Sequence, residues 1–468
     1  MQVAWWWFLF AVSVPAAALA FSLAPWPRWQ RHRSRRAAFF LPVVSCLTLL
    51  AAVAVAWDRT GIAIADVELV GLPRHLARAM ATLRAPAVGL AVGAALAAVA
   101  ALGRHGRTWI APAAVAGIAA VALWAADATS VRHGPRGDPE GTRIADVPAV
   151  RILEGVDFVV DLSFSRTGDL FFAELYSPRI RVLAAGTSDP ADVVTLGGEW
   201  ERTLHFELHP DWPAIPVLYV ARDRTVEKDR LGQVTEVVAN GAAAPRVVLE
   251  GYPTGPSHPA SAFAACDGFL FVTTGDGDEA ADGSKTGRRV RAQDPGSIEG
   301  KVLRYRVTAR GIEPAGLLWE DPPVYALGLR NLYGIACVPG GEGVIGGENG
   351  FRGHDQVRLV TARSNQEWPL SDLRTAFSRP WFDSGRVSIA PTGVAARATA
   401  DRIDMFFTAY HANALYQLSV DASGRPGPLV RLHRFDEPAL SVELGPGGCA
   451  YVGTASAIWR VAIEGCSP

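Results

Sequence analysis

The chain has 468 residues, a formal net charge of −1 and a hydrophobic fraction of 49%. That hydrophobic fraction is too high for an ordinary protein that is soluble along its whole length. The excess is concentrated in the first 127 residues, so the sequence predicts a membrane region followed by a more polar domain.

Four apolar runs, residues 4–25, 38–57, 86–103 and 108–127, carry no charged residue in their interiors. Each is about as long as a helix that crosses the hydrocarbon core of a bilayer, and tryptophans lie near their ends, as in interfacial aromatic belts. Nothing basic precedes the first run and three further runs follow it, which favours a membrane span over a cleaved signal peptide. We therefore expect four transmembrane helices within residues 1–127.

The loops between these runs predict the orientation. Residues 28–36 contain five arginines, and Arg104 and Arg107 lie in the turn between the third and fourth runs. The positive-inside rule predicts both loops in the cytoplasm and both termini outside, so we expect a multi-pass cell-membrane protein whose C-terminal domain is periplasmic or extracellular. A short basic loop between spans is a topology signal, and we expect no nucleic-acid partner. The uncharged span interiors indicate an anchor rather than an ion pathway.

Residues 128–150 are rich in Gly, Pro and charge and are predicted to be a linker. In residues 151–468, short β-branched and aromatic runs alternate with turns, and this pattern recurs in six units. The units are Phe158–Leu183, Leu204–Val238, Ser261–Tyr305, Leu332–Val360, Thr392–Leu418 and Leu440–Val461. The predicted fold class is all-β, a six-bladed β-propeller preceded by a four-helix transmembrane region, with five or seven blades as alternatives.

Three of the five cysteines, Cys266, Cys337 and Cys449, occupy similar places in three units. This placement is typical of small core residues. A Cys449–Cys466 bridge is an alternative in an oxidising compartment.

The segment Tyr325–Ala336 carries an Arg-Asn pair, Arg330 and Asn331, between two glycines and ahead of an apolar strand. Such a loop can present a guanidinium fork and an amide to an oxygen-rich planar ligand. The alternative is a structural arginine that satisfies loop carbonyl groups.

Five motifs occur in a shared order along the domain. They are HPDW at 209–212, VTTGDGD at 272–278, QDPGSIEGKVLRY at 293–305, YALGLRNLYGIA at 325–336 and GGENG at 346–350. With these motifs, residues 150–465 resemble the glucose/sorbosone dehydrogenase family, the soluble-type pyrroloquinoline-quinone (PQQ) sugar dehydrogenases.

The resemblance implies a six-bladed propeller that binds PQQ and calcium on one face and oxidises a sugar or polyol hydroxyl. It implies that His258 is the general base, the role that suits a neutral imidazole, and that Arg330 and Asn331 bind the quinone oxygens. His411 stands where the family has a lysine that binds the cofactor. The calcium ligands would be the carbonyl groups of Gly350 and Phe351, helped by Asp355.

Several positions depart from the family pattern. Ser257 replaces the Asp or Asn before the base, no glutamine is evident among residues 199–202, and residues 437–441 lack the arginines that clamp the PQQ carboxylates. Asp276, Asp278, Glu279 and Asp282 form an oxygen-rich loop, predicted to be a solvated turn, with calcium as the alternative.

The predicted function is a membrane-anchored oxidoreductase acting on CH–OH groups with PQQ, which passes electrons to a respiratory acceptor. One alternative is a non-redox propeller with a decayed cofactor site that binds carbohydrate or a protein partner. Another is a metal-dependent hydrolase or lactonase, which would need several acidic or amide side chains converging on the axis. The sequence singles out no such set.

Overall fold

The computed structural model describes residues 136–227, 229–239, 241, 244–255, 258–277, 291–351, 353–368 and 379–467. These residues form six β-sheets of four or five strands each, which are the six blades of a β-propeller. The all-β class and the six blades predicted from the repeated units are confirmed.

Two short strands precede the first complete blade, β1 (Arg143–Ile144) and β2 (Ala149–Glu154). Blade 1 contains β3 (Val159–Phe164), β4 (Leu170–Glu174), β5 (Arg179–Leu183) and β6 (Ala191–Thr195). Blade 2 contains β7 (Arg202–Leu208), β8 (Val217–Val226), β9 (Asp229–Val238) and β10 (Arg246–Pro253). Blade 3 contains β11 (Phe263–Cys266), β12 (Phe269–Thr274), β13 (Lys301–Thr308), β14 (Gly311–Pro314) and β15 (Val324–Leu327).

The remaining blades follow in chain order. Blade 4 contains β16 (Leu332–Cys337), β17 (Val344–Glu348), β18 (Gln356–Val360) and β19 (Phe382–Asp383). Blade 5 contains β20 (Pro391–Ala398), β21 (Arg402–Ala409), β22 (Ala414–Asp421) and β23 (Val430–Arg434). Blade 6 contains β24 (Ala439–Leu444), β25 (Ala450–Thr454) and β26 (Ala457–Val461), with a 3₁₀ turn at Pro446–Gly448.

Blade 6 is completed from the other end of the domain. Strand β2 pairs antiparallel with β26 as its outermost strand, and β1 pairs parallel with β23 of blade 5. Both strands begin within residues 128–150, so the prediction of a linker over that whole segment was wrong for residues 143–144 and 149–150. Gly and Pro mark the segment as irregular, whereas its pairing partners lie about 300 residues away in the chain and leave no local signal.

The inner strands β3, β7, β11, β16, β20 and β24 contact one another in sequence, and β24 contacts β3 to close the ring. Some of these contacts are between backbones. A Cβ atom built on Gly334 would lie 1.8 Å from the carbonyl oxygen of Thr392, and one on Gly393 would lie 2.4 Å from the amide nitrogen of Val442. Glycine is therefore required where neighbouring inner strands approach this closely.

The core lies between adjacent blades, because each sheet packs on both of its faces. Every residue of β4, LFFAE, is buried, and so is every residue of β17. Strands buried on both faces read as continuous apolar runs rather than as strict alternation. Phe172, Phe406 and Tyr416 are among the largest side chains that are fully buried.

The propeller contains two disulfides among the described residues, one between neighbouring blades and one at blade 6. Cys266 at the end of β11 is bonded to Cys337 at the end of β16, and Cys449 is bonded to Cys466. The prediction that Cys266, Cys337 and Cys449 are unpaired core residues was wrong. Cys266 and Cys337 are the last residues of neighbouring inner strands. Because the two strands pack side by side, residues at equivalent positions lie close enough to form a bond. The Cys449–Cys466 alternative is confirmed.

Within the described residues, no helix is long and apolar enough to cross a membrane. The four predicted spans and their connecting loops, residues 1–127, lie outside the described range and stay a prediction.

Gly334→Ala tests the backbone contact between blades 4 and 5. The added methyl group has no room beside the Thr392 carbonyl, so we expect the free energy of unfolding to fall by about 3 kcal/mol, the upper end of overpacking costs. Denaturant unfolding measures this. Gly427→Ala is the control, because its added Cβ would lie 3.4 Å from the Ser419 carbonyl oxygen, an ordinary contact. Equal stabilities for the two variants would contradict the close approach.

Candidate functional site

All seven predicted site residues lie on one face of the propeller. They come from two kinds of connection: the loop that leads into an inner strand, and the turn between the second and third strands of a blade. The inner strand begins at this face, and the antiparallel second strand ends there, so both connections share it. The residues belong to blades 3, 4 and 5. They are His258, Arg330, Asn331, Gly350, Phe351, Asp355 and His411.

His258 is held by a carboxylate that follows the next strand. Its Nδ1 lies 2.6 Å from Oδ1 of Asp276, and both side chains are buried. Donation of the Nδ1 proton to Asp276 leaves Nε2 as the basic nitrogen of the neutral ring. Asp276 therefore orients the imidazole, and the prediction that it belongs to a solvated turn was wrong. The neighbouring acidic residues 278, 279 and 282 lie outside the described residues.

Trp368 connects this pair to the Arg-Asn loop. Its Nε1 donates to Oδ2 of Asp276 at 2.9 Å, so the carboxylate is held from both sides. The Arg330 guanidinium lies 5.6 Å from the centre of the Trp368 ring, and the Phe351 ring lies 6.1 Å from it. Nothing in the sequence around Trp368 singles it out, because its partners come from other loops.

Arg330 is fixed at its backbone and at its side chain. Its amide nitrogen donates to Oε1 of Glu348 at 2.8 Å, and its carbonyl oxygen accepts from the amide nitrogen of Asp276 at 2.8 Å. One guanidinium nitrogen, Nη1, donates to the carbonyl oxygen of Asn349 at 2.8 Å. The Arg330 side chain therefore satisfies a loop carbonyl group, as the structural alternative predicts. The same hydrogen bond orients its planar guanidinium group.

A buried ion pair supports this loop from below. Nε of Arg358 lies 3.1 Å from Oε2 of Glu348, and neither side chain is exposed. Nη1 of Arg358 donates to Gln366 at 2.8 Å, and Nη2 donates to Gln356. The arginine, the glutamate and the two glutamines form a polar cluster inside blade 4, which positions the amide group of Arg330.

Asn331 has a buried amide. Its side chain is 2% exposed, and its Oδ1 has no hydrogen-bond partner among the described residues. A buried amide atom without a partner is costly, so its presence beside Arg330 is typical of a ligand position.

Asp355 braces the neighbouring loops. Its Oδ1 accepts from the amide nitrogen of Gly350 at 2.8 Å, and its Oδ2 accepts from those of Ile389 and Ala390, each at 2.7 Å. Burial raises the pKa of the Asp355 carboxyl, although these amide groups and Arg330 act in the opposite direction. Its contacts give it a structural role, and a metal-binding role for Gly350, Phe351 and Asp355 stays a prediction. No group of three or more His, Cys, Asp or Glu side chains in the described part of the chain is placed to hold a metal ion.

His411 lies in the turn after β21. Its Nδ1 is 2.9 Å from Oγ of Ser388, and Ser388 in turn lies 3.5 Å from Oδ2 of Asp355. His411 is thereby joined to the same set of loops as Gly350 and Arg330.

Three carboxylates also meet near the axis, a set that the sequence did not single out. Asp161, Glu207 and Glu443 lie on the inner strands of blades 1, 2 and 6. Burial, followed by the charge of Asp161, raises the pKa of Glu207 to about 8, and burial, followed by the charge of Glu207, raises that of Glu443 to about 8. Both shifts favour the neutral carboxyl group, and these three side chains are not placed to hold a metal ion together.

Comparison with known proteins identifies the family. The glucose/sorbosone dehydrogenase family matches residues 199–458, more than half of the chain. The chain belongs to this family.

Solved structures with the same fold include sugar dehydrogenases. A Thermus thermophilus oxidoreductase described as a glucose dehydrogenase is 25% identical, with a TM-score of 0.56 over 68% of this chain and 100% of its own. The PQQ-bound aldose sugar dehydrogenase of Streptomyces coelicolor is 20% identical, with a TM-score of 0.55 over 70% of this chain and 100% of its own. The uncharacterised protein slr1608 of Synechocystis is 25% identical over 256 residues, half of this chain; the match spans 61% of that relative's length.

The donor set of this family member suits one end of PQQ. Arg330 presents a guanidinium fork that can donate to a quinone oxygen, on the same face as the oriented His258. The Oδ1 atom of Asn331, which has no partner among the described residues, is an acceptor, so only the amide nitrogen of Asn331 could donate to such an oxygen. The carboxylate end of PQQ would have fewer cationic partners. Only His411 stands at a predicted clamp position, and residues 437–441 contain no arginine. Each missing charge-assisted hydrogen bond is worth about 1.5–3 kcal/mol. The residues therefore fit the quinone end of such a group better than its carboxylate end.

Glu348→Ala tests the buried support of Arg330. Removing the carboxylate leaves the Arg358 guanidinium buried without its counter-ion, so we expect a loss of about 3–5 kcal/mol in the free energy of unfolding. Thermal and denaturant unfolding measure this. The control is Arg425→Ala, which breaks the exposed pair with Asp421 and should change stability by less than about 0.5 kcal/mol. Similar losses in the two variants would show that the Glu348–Arg358 pair is not a support.

Proposed function

We propose that the protein is an oxidoreductase that oxidises a hydroxyl group of a sugar or related polyol, with PQQ as its cofactor. The observation that carries the proposal is the His258–Asp276 hydrogen bond of 2.6 Å on the same face as Arg330 and Asn331. This pairing of an oriented base with fixed hydrogen-bond donors is what alcohol oxidation by a quinone requires. Membership of the family and the likeness to sugar dehydrogenases support it.

His258 takes the proton in this proposal. The Nε2 lone pair accepts the proton of the substrate hydroxyl group while Nδ1–H remains bonded to Asp276. Asp276 then stabilises the imidazolium, and Trp368 prevents the carboxylate from rotating away. PQQ, when bound, would accept the hydride that leaves the carbon atom bearing this hydroxyl group.

Arg330 and Asn331 stabilise negative charge. The Arg330 fork is preorganised by Asn349, Glu348 and Trp368, so it needs little rearrangement when charge develops on a ligand oxygen. Calcium bound near the carbonyl groups of Gly350 and Phe351 would add to this effect. The electrons would then pass to a respiratory acceptor.

We also infer that residues 1–127 anchor the propeller to the outer side of the cell membrane. The four apolar runs and the arginine-rich loops support this orientation. The two disulfides support it too, since such bonds persist in oxidising compartments. Protease added to spheroplasts should digest the propeller and leave the 28–36 loop intact. A propeller protected from external protease would contradict the proposal.

The test of function uses the purified full-length protein. We expect saturable PQQ binding in the presence of calcium, followed by absorbance, and sugar-dependent reduction of an electron-accepting dye. His258→Ala should abolish dye reduction and leave PQQ bound, whereas Arg330→Ala should weaken PQQ binding; Arg425→Ala is the control. No PQQ binding at high micromolar concentration would contradict the proposal and favour the non-redox carbohydrate-binding alternative.

Asp276→Asn refines the test within the same experiment. An amide at this position cannot accept hydrogen bonds from both His258 Nδ1 and Trp368 Nε1, so the imidazole is driven towards the tautomer with its proton on Nε2. Carboxylate-to-amide exchange beside a catalytic histidine costs about 10⁴-fold in kcat elsewhere, and we expect a loss of roughly 10³–10⁴-fold with little change in KM. A loss below about tenfold would show that Asp276 does not control the base.

A further inference from the structure

We propose that the surface around Trp200 on blade 2 is a binding subsite for a carbohydrate chain, so that the substrate is an oligosaccharide rather than a free monosaccharide. This inference rests on the proposed function, because it assigns the remote part of the same substrate. The sequence differs from the family pattern at this position. Residues 199–202 are Glu-Trp-Glu-Arg, whereas the family resemblance predicts a glutamine there.

Trp200 lies on the same face as His258. It belongs to the loop that leads into inner strand β7, and Thr225 and Val226 end β8 at the turn to β9. These are the two kinds of connection that carry the site residues in blades 3, 4 and 5. The fold therefore places the Trp200 surface beside the candidate oxidation site, on the neighbouring blade.

Two arginines hold the indole ring. The guanidinium carbon atoms of Arg222 and Arg224 lie 5.0 Å and 5.1 Å from the ring centre. These residues are two apart on β8, so both reach the ring from one face of the sheet. Such contacts fix an aromatic ring on a surface where it would otherwise rotate.

Arg222 makes this arrangement costly. It is 5% exposed, its Nη1 donates to the carbonyl oxygen of Gly197 at 2.8 Å, and its Nε has no partner among the described residues. Burial lowers the pKa of Arg222 to about 10, with no carboxylate to offset it. A buried cation without a counter-ion opposes stability, and local violations of this kind mark functional positions.

An open cavity, shallow rather than enclosed, adjoins the ring. Its lining is formed by Glu199, Trp200, Glu201, Arg224, Thr225 and Val226. Glu201 is occupied in bracing, since it accepts from Arg230 at 2.7 Å and from the amide nitrogen of Thr225 at 2.9 Å. The exposed Glu199 carboxylate and the Arg224 guanidinium remain beside the indole.

This lining fits a sugar better than other ligands. An indole ring packs against the C–H face of a pyranose, while a carboxylate and a guanidinium bond its hydroxyl groups. The charges are of both signs, which does not favour a nucleic acid or an anionic membrane surface.

The surface is continuous with the loop that carries the base. Arg202, two residues after Trp200, donates through Nη2 to the carbonyl oxygen of Gly255 at 3.2 Å, three residues before His258. Its Nε donates to Oδ1 of the buried Asp223 at 3.0 Å, and Oγ1 of Thr254 donates to the same carboxylate at 2.8 Å. The network fixes the Trp200 loop to the His258 loop. The two loops are therefore neighbours on this face, as a chain bound at both positions would require.

The experiment measures binding without PQQ, so that it is independent of activity. Trisaccharides of glucose, xylose and galactose are titrated into the purified full-length protein by calorimetry and saturation-transfer NMR. We expect at least one to bind, with Trp200→Ala weakening it roughly tenfold and Trp200→Tyr restoring most of it. Glu199→Gln, an exposed change with little risk to folding, should weaken it roughly threefold. Trp319→Ala is the matched control, since Trp319 is 49% exposed and lies outside the cavity.

The results separate this proposal from the proposed function. No binding of any trisaccharide up to roughly 10 mM would overturn the subsite, and so would equal binding by the Trp200→Ala and Trp319→Ala variants. With PQQ and dye, Trp200→Ala should raise KM for the trisaccharide that binds and leave kcat/KM for its monosaccharide within about twofold. Trisaccharide binding without dye reduction would retain the subsite and reject the oxidoreductase.

Discussion

The closure of the propeller is the constraint on which the rest of the structure depends. Strand β2, from the beginning of the domain, completes the blade formed by its last three strands. Without that pairing blade 6 has only three strands and β26 has an open edge, so the strand pairing that links the two ends of the domain is lost. The site residues of blades 3, 4 and 5 come from the loops that enter the inner strands and from the adjoining turns. Their meeting is therefore a property of the closed ring rather than of any one blade.

Polar groups inside the blades hold the site residues in place. Trp368 bonds Asp276 and packs beside Arg330, so the same side chain fixes the proton acceptor and the positive charge. Glu348 bonds the Arg330 backbone while it pairs with the fully buried Arg358. Buried pairs of this kind contribute little net stability, but they hold one geometry. The site is rigid because its supports are inside the sheets.

The face divides into two chemical halves. Blades 3 to 5 carry the histidine, the arginine and the buried amide, which suit proton and electron transfer. Blade 2 carries Trp200, two arginines and a glutamate, which suit a carbohydrate.

The sequence by itself predicted the repeated pattern and six blades, with five or seven as alternatives, and the family resemblance supplied seven site residues that lie on one face. This was possible because short β-branched and aromatic runs and the turn residues between them are local signals, and because the motifs keep their order along the chain. It did not predict that β2 closes the ring, that Cys266 pairs with Cys337, or that Asp276 orients His258. Ser257 stands where the family has that orienting group, and the carboxylate that replaces it comes from the end of another strand. Trp368, Glu348 and the axial carboxylates were also decided only by the tertiary structure, since contacts between blades join residues that have no fixed spacing in the chain.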